Sequence, residues 1–162
     1  MKFQPSPEQQ IVGCSLSNYL ADRRQQILSE WTERVLLDKH VPAANVQPIT
    51  QLEDHIPQIL DDLTRTLEDA FNQKVKDQAA WRAAIHGQIR WQQNYDVSQV
   101  IREISDLRLV LINHLAEFNN KRMPDLNGEP GLFAMVVLHS FFDRLISISV
   151  DRFIASSQTA GS

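Results

Sequence analysis

Residues 81–111 carry side chains that could transfer protons, hold an anion or bind a metal. These side chains are one imidazole, two guanidiniums and one carboxylate, supplied by His86, Arg90, Arg108 and Glu103. His86 and Arg90 are four residues apart, so they share one face of a predicted helix. Glu103 and Arg108 flank the apolar stripe of the next predicted helix. Buried groups of this kind must be paired, so they form either a functional cavity or a structural polar network.

A buried guanidinium requires a carboxylate partner, and the sequence offers two for Arg90. Glu103 is the first candidate because its helix follows after a very short turn. Asp143, in the last predicted helix, is the second. We therefore predict that Arg90 is at least partly buried and paired. We also predict that Arg108 and Asp143 belong to the same network, which either fixes the packing or lines a ligand cavity; exposed, unconnected charges are the remaining alternative.

The sequence lacks the motifs of the common enzyme and cofactor classes. It has no glycine-rich phosphate loop, no nucleophile elbow and no HExxH motif, and Cys14 is its only cysteine. We therefore predict no catalytic residue, no metal and no cofactor. Two alternatives stay open. His86 or His114 could bind a tetrapyrrole in a globin-like sensor, or His86 could accept a phosphoryl group as in a histidine-phosphotransfer module, although the usual Lys and Gly after it are not in place.

Charge and hydropathy narrow the classes of partner. The formal net charge of −4 and the lack of any basic run argue against nucleic-acid binding, which needs clustered Lys and Arg. The opening residues, MKFQPSPEQQ, lack the apolar core of a signal peptide. The most apolar stretch, 132–142, is too short to span a bilayer. We predict a cytoplasmic protein without membrane insertion.

The elements that must position these groups are helices. Apolar residues recur at helical spacing over about 16–37, 50–71, 77–93, 96–118 and 132–154, and no alternating strand pattern is present. This predicts an all-α fold, an antiparallel bundle of about five helices, of which a globin-like arrangement is one form. We predict a single domain over 15–154, with a flexible amino terminus, 1–14, and a flexible tail, 155–162.

The second half of the last predicted helix holds more apolar side chains than one bundle face can bury. Such an excess favours an association surface, since a monomer rarely leaves a large apolar patch exposed. We therefore predict a homodimer through this helix, which would also serve as the output surface. The side chains assigned to it are Leu145, Ile146, Val150 and Phe153.

The stretch IHGQIRWQQNYDVSQVIREISDLRLVLINHL resembles the RsbRD amino-terminal domain family. The matching residues are His86, Arg90, Glu103 and Arg108 around a short turn near Tyr95, with Asp143 in the downstream FFDRLI. The resemblance covers roughly 16–154. It implies a sensory or regulatory input domain that precedes a histidine kinase or a stressosome output domain, with that downstream protein as partner. It assigns no catalytic residue.

Overall fold

The computed structural model describes residues 4–122 and 128–162, and within these ranges the chain is helical without any strand, as predicted. The described residues contain seven α-helices and one short 3-10 helix, Pro42–Val46. The helices are α1 (Pro7–Asp22), α2 (Arg24–Leu37), α3 (Ile49–Glu53), α4 (Ile56–Glu68), α5 (Gln73–Gln92), α6 (Val97–Arg122) and α7 (Glu129–Ala160).

Helix α1 begins within the segment predicted to be flexible. Ser6 caps it, since its hydroxyl accepts from the Gln9 amide at 3.2 Å and the Gln9 side chain accepts from the Ser6 amide at 2.8 Å. Pro7 occupies the first turn, where its missing amide hydrogen costs nothing. The prediction of a flexible 1–14 is therefore wrong from Pro7 onwards, because Val12 is part of the buried core. Residues 1–3 lie outside the described residues.

The predicted flexible tail, 155–162, is wrong as well. Helix α7 continues to Ala160, beyond its last buried residue, Phe153. Ser157 and Thr159 donate their hydroxyls to backbone carbonyls within the preceding turn, at 2.7 and 3.3 Å. These bonds satisfy the polar side chains inside the helix, so the composition of this segment does not end it.

The first two predicted helices are each divided. Arg23, with φ −106° and ψ 9°, separates α1 from α2. Pro57 lies in the first turn of α4, so the helix that was expected to start near Thr50 is two pieces, α3 and α4. Pro57 lacks an amide donor, which explains why α4 begins next to it rather than running through it.

Helices α5 and α7, which are not consecutive in the sequence, pack side by side and run in the same direction. Near the start of both, the rings of Phe71 and Phe133 face each other at 6.2 Å. Further along both, the Ser149 hydroxyl donates to the Ala83 carbonyl at 2.9 Å. Helix α6 lies between them in the sequence and brings the chain back, so α7 packs beside α5 although it does not directly follow it.

A glycine sets the closest approach of α5 to α7. A Cβ placed on Gly87 would lie 1.9 Å from the backbone oxygen of Ser149. No other residue type fits there without moving backbone. The missing side chain at Gly87 therefore allows another helix to come close to α5, and that helix is α7.

Helix α7 is the most apolar helix of the described chain. By length and composition it could cross a bilayer, but 39% of its most apolar window is buried inside the fold. Its buried side chains include Leu138, Phe142 and Leu145. A core helix of a folded domain passes the same test of length and composition, so this finding is weak evidence for a membrane span.

Candidate functional site

His86, Arg90 and Glu103 form a cluster in the interior, which we call the buried polar cluster. Glu103 Oε1 lies 2.6 Å from Arg90 Nε and 2.8 Å from His86 Nε2. All three side chains are fully buried. The predicted pairing of Arg90 with Glu103 is therefore confirmed.

The two other guanidinium nitrogens of Arg90 each donate a hydrogen bond as well. Its Nη1 donates to the Gln93 side-chain oxygen at 2.6 Å, and its Nη2 donates to the Leu52 carbonyl at 2.8 Å. The Tyr95 ring lies against the guanidinium, with its centroid 5.0 Å from the central carbon. A buried guanidinium with a carboxylate and two further acceptors meets the conditions for stable burial of a charge.

The turn between α5 and α6 brings these groups together. Asn94 adopts a left-handed conformation, φ 62°, which Asn tolerates better than most residues. Asp96 then caps α6 by accepting the Gln99 amide at 2.8 Å. The resulting tight reversal places Arg90, at the end of α5, opposite Glu103, in the second turn of α6.

Two residues that sequence reasoning missed complete the surroundings. His55 lies between α3 and α4, and its Nε2 contacts His86 Nδ1, with ring centroids 4.5 Å apart. The Trp31 indole donates to the Glu103 backbone oxygen at 3.0 Å. The sequence holds no signal for His55, and Trp31 lies in the first predicted helix, 16–37, where helical periodicity gives no sign of its polar contact.

Burial and charge set the protonation of the cluster. Burial lowers the pKa of His86, and Glu103 opposes this only in part. Burial is also the main cause that lowers the pKa of His55, and the positive charge of Arg90 acts in the same direction. Burial alone would raise the pKa of Glu103, but Arg90 and His86 outweigh it and keep the pKa below its usual value. At neutral pH both imidazoles are therefore neutral beside an ionised Arg90–Glu103 pair.

Arg108 and Asp143, predicted to join this network, form a separate pair. Arg108 Nη2 lies 3.2 Å from Asp143 Oδ1, and the Asp143 side chain is 72% exposed. The guanidinium also lies over the Phe142 ring, 5.5 Å from its centroid. The prediction of one network is wrong because Arg108 is on the flank of α6 that faces α7, whereas Glu103 faces α5.

The four side chains predicted to form a dimer surface are not exposed. Leu145 and Phe153 belong to the core, and Ile146 and Val150 are half-buried. Helix α5 packs along this part of α7, as the Gly87–Ser149 approach shows. The predicted surface is therefore wrong for Leu145 and Phe153, which the fold buries, and of the four side chains only Ile146 and Val150 keep partial exposure.

The buried polar cluster offers no room for a substrate or a cofactor. His86 uses both ring nitrogens inside the protein, and the other candidate, His114, directs Nε2 to Glu30 Oε2 at 2.9 Å. Among the residues that the structure describes, no group of three or more His, Cys, Asp or Glu side chains is placed to hold a metal. The cluster can hold helices in place, and it can make the stability of the fold depend on pH. Its three side chains are fully buried, so they do not face a surface where a molecule could bind.

A cavity of about 210 Å³ lies elsewhere, between α4, α5 and α7. Its walls are mostly apolar, with Ala79, Ala80 and Ala83 on α5 opposite Val137 and Phe141 on α7. It lies on the amino-terminal side of the Gly87–Ser149 contact on both helices. Sequence reasoning missed this cavity because it depends on the parallel pairing of two helices that are not consecutive.

Helix α5 therefore has the buried polar cluster at its carboxyl-terminal end and a cavity at its amino-terminal end. A comparison of the chain with models of known families, with curated proteins and with solved structures yields no match.

Proposed function

We propose that this chain is a non-catalytic sensory or regulatory input domain of a bacterial signalling protein, of the histidine-kinase or stressosome type. The single observation that supports it is the position of α7. This helix contacts α1, α4, α5 and α6, and it then extends past its last buried residue, Phe153, to Ala160. A downstream kinase domain or a partner protein would read its position.

Helix α7 has the length to carry a movement out of the core. Its 32 residues correspond to a rod of roughly 48 Å at the usual rise per residue. One helix that is both enclosed and protruding converts a small slide or rotation in the core into a displacement at its exposed end. The proposal includes a cytoplasmic location, which agrees with the single cysteine of the sequence.

The two ends of α5 would have different roles in such an input domain. The buried polar cluster ties α5 to α6 and, through the Leu52 carbonyl, to α3. This part would stay fixed, because moving it would break several bonds to buried charged groups. The cavity lies between this fixed helix and α7, so a molecule that enters it would bias the position of α7.

The two alternatives from the sequence have less support. A tetrapyrrole needs an imidazole nitrogen that faces a cavity, but neither His86 nor His114 lines the cavity between α5 and α7, and the Nε2 atoms of these two residues lie against Glu103 and Glu30. A phosphoacceptor histidine must be exposed to its donor, and His86 is fully buried. The absence of bound metal and cofactor stays a prediction, which elemental analysis and an absorbance spectrum of the purified protein test.

A chimaera tests whether α7 can control an output. Residues 1–160 would be joined, through α7, to the dimerisation helix of a histidine kinase from which its own sensor has been removed. Zero to four residues would then be inserted at the junction. Autophosphorylation should rise and fall with a period of about 3.6 residues, because each insertion rotates the kinase helix relative to α7.

The matched control replaces the junction with a glycine–serine linker of equal length. That linker should abolish the periodic dependence, because a flexible coil transmits no rotation. Equal kinase activity for all insertions, with activity equal to that of the kinase lacking residues 1–160, would contradict the proposed function.

A homodimer stays a prediction, without the surface first assigned to it. The apolar side chains of α7 that are exposed are Leu132, Val136 and Ile154. Sedimentation equilibrium of the wild-type chain decides whether it associates, and Ile154→Glu decides whether the protruding end of α7 takes part.

A further inference from the structure

The cavity between α4, α5 and α7 has an apolar interior and two cationic side chains. Ala83, Val137, Phe141 and Leu145 line its buried part. Lys76 and Arg144 also line it, and both reach solvent. The described lining includes no acidic side chain, so this site is positive in a chain whose formal net charge is −4.

Within residues 4–122 and 128–162 these two cations have no carboxylate partner of their own. Neither Lys76 nor Arg144 forms an ion pair with any residue that the structure describes, whereas the neighbouring Arg108 is paired with Asp143. The Lys76 ammonium instead lies 5.8 Å from the Phe71 ring centroid. Two unpaired cations beside an apolar cavity form a site complementary to a molecule with one anionic end and one apolar chain.

We propose that this cavity binds a medium-chain aliphatic carboxylate. The acyl chain would lie between the alanine face of α5 and the aromatic and aliphatic side chains of α7. Its carboxylate would lie at the solvent-facing side, within reach of Lys76 and Arg144. This inference deepens the proposed function and rests on it, because it names the class of molecule that the domain would sense.

The volume sets the length of the chain. An apolar cavity of about 150 Å³ accommodates a six-carbon ring such as benzene. A cavity of about 210 Å³ therefore suits roughly eight to ten carbons, part of which would lie in the open mouth. Apolar side chains continue beyond the cavity, since Phe71 and Val136 are 42% and 53% exposed. They would cover the chain where it leaves the interior.

Isothermal titration calorimetry of the wild-type chain with decanoate tests the proposal. We expect saturable binding of one decanoate per chain. Decanol, which has the same chain without the charge, should bind at least tenfold more weakly, and decyltrimethylammonium should not bind. Equal affinities for decanoate and decanol would overturn the assignment of the cationic side chains, and no saturable binding of decanoate at millimolar concentration would overturn the site.

Variants separate the site from general adsorption. Lys76→Met together with Arg144→Met should weaken decanoate binding at least tenfold. The matched control is Lys74→Met together with Arg152→Met, which removes one cation from each of the same two helices outside the cavity and should leave affinity within twofold. Equal effects of the two double variants would mean that decanoate binds to surface charge in general, and would overturn the proposal.

A third variant fills the cavity and leaves the charges in place. Ala80→Leu should abolish binding while the helical circular dichroism signal is retained. Should this variant unfold, the pair of double variants still decides, because both change exposed or half-buried side chains. Binding is measured on the chain itself, so it can fail while the kinase chimaera still shows periodic activity. Conversely, decanoate binding with a silent chimaera would contradict the regulatory function alone.

Discussion

The two halves of α5 pack against their neighbours in opposite ways. Its carboxyl-terminal half carries His86 and Arg90, which are fully buried and bonded to Glu103. Its amino-terminal half carries Ala79 and Ala80, which line a cavity of about 210 Å³. Gly87 lies in the carboxyl-terminal half, where α7 comes so close that a Cβ on this residue would meet the Ser149 oxygen at 1.9 Å.

This difference shows how one helix can serve both as an anchor and as the wall of a binding site. Charged groups without solvent hold their geometry strictly, because any displacement leaves a buried charge without a partner. Apolar side chains facing a space can rearrange at little cost in polar contacts. The polar half therefore holds α5 in place. Along the alanine half, the cavity leaves α7 room to shift relative to α5.

The strongest way to break the anchor is to remove Arg90. Arg90→Ala leaves the Glu103 carboxylate buried without its main partner, so the free energy of unfolding should fall by on the order of 3 kcal/mol. Urea denaturation followed by circular dichroism measures it. Arg152→Ala, which removes an exposed arginine of α7, is the control and should stay within about 0.5 kcal/mol. A loss below about 0.5 kcal/mol for Arg90→Ala would mean that the buried polar cluster is not an anchor.

A double variant sharpens this test. Arg90→Met combined with Glu103→Met removes both charges, so its loss of stability should be smaller than the sum of the two single losses. Strict additivity would show that the two side chains do not depend on each other.

The close contact at Gly87 should be the next most sensitive point. Gly87→Ala forces α5 and α7 apart because the new Cβ would meet backbone rather than a movable side chain. We expect a loss of about 2 kcal/mol, in the range of overpacked cores. Gly161→Ala, whose Cβ would have no neighbour closer than 3.9 Å, is the control and should cost less than about 0.5 kcal/mol. Equal thermal midpoints for the two variants would contradict the contact.

A pH titration probes the same anchor without mutation. His55 and His86 stay neutral in the folded protein below their ordinary pKa of 6.5, so the unfolded chain binds more protons there. The free energy of unfolding should therefore fall as the pH drops below 6.5, with a slope of up to about 1.4 kcal/mol per pH unit for each histidine. The pKa of Glu103 is lowered in the fold, so this residue reduces the free energy of unfolding further only below its ordinary pKa of 4.5.

His55→Gln should reduce that slope by about half, because only His86 then takes up a proton on unfolding. Denaturation curves at pH 7, 6 and 5 measure it for both proteins. A stability that stays constant between pH 6.5 and 5 would show that the imidazoles are already protonated inside the fold.

The smallest effect should come from the pair at the surface. Arg108 and Asp143 lie 3.2 Å apart, but Asp143 is 72% exposed, so the pair is screened by water. Asp143→Ala should change the free energy of unfolding by less than about 0.5 kcal/mol. A loss approaching that of Arg90→Ala would mean that this pair also supports the fold and that the contrast between buried and exposed pairs fails.

The sequence predicted the contact between Arg90 and Glu103 because both positions are local. Their spacing within helices and the very short turn around Asn94 fix their register, and little else is needed. The assignment of Arg108 to the same cluster failed because it depended on the rotation of α6 between two neighbours. A residue on the flank of an apolar stripe can face either side, and the pattern itself does not decide which.

The amino-terminal segment and the last helix show a second limit of prediction from sequence. The capping box at Ser6 was readable, yet the segment before residue 15 was expected to be flexible, since its core contacts are formed with α4. The last predicted helix does carry many apolar side chains over 145–153, but Leu145 and Phe153 are buried within the fold itself. Both errors come from contacts between helices far apart in sequence, which periodicity does not report.

The hydrogen bond from Trp31 to the Glu103 backbone gives the protein an internal optical reporter. Trp31 is fully buried, whereas Trp81 is 61% exposed and Trp91 is half-buried. With Trp81→Phe and Trp91→Phe in place, the remaining indole would emit at short wavelength and respond to the charge beside it. Its emission maximum would then follow proton uptake or loosening near Glu103 during an acid titration, without any added dye.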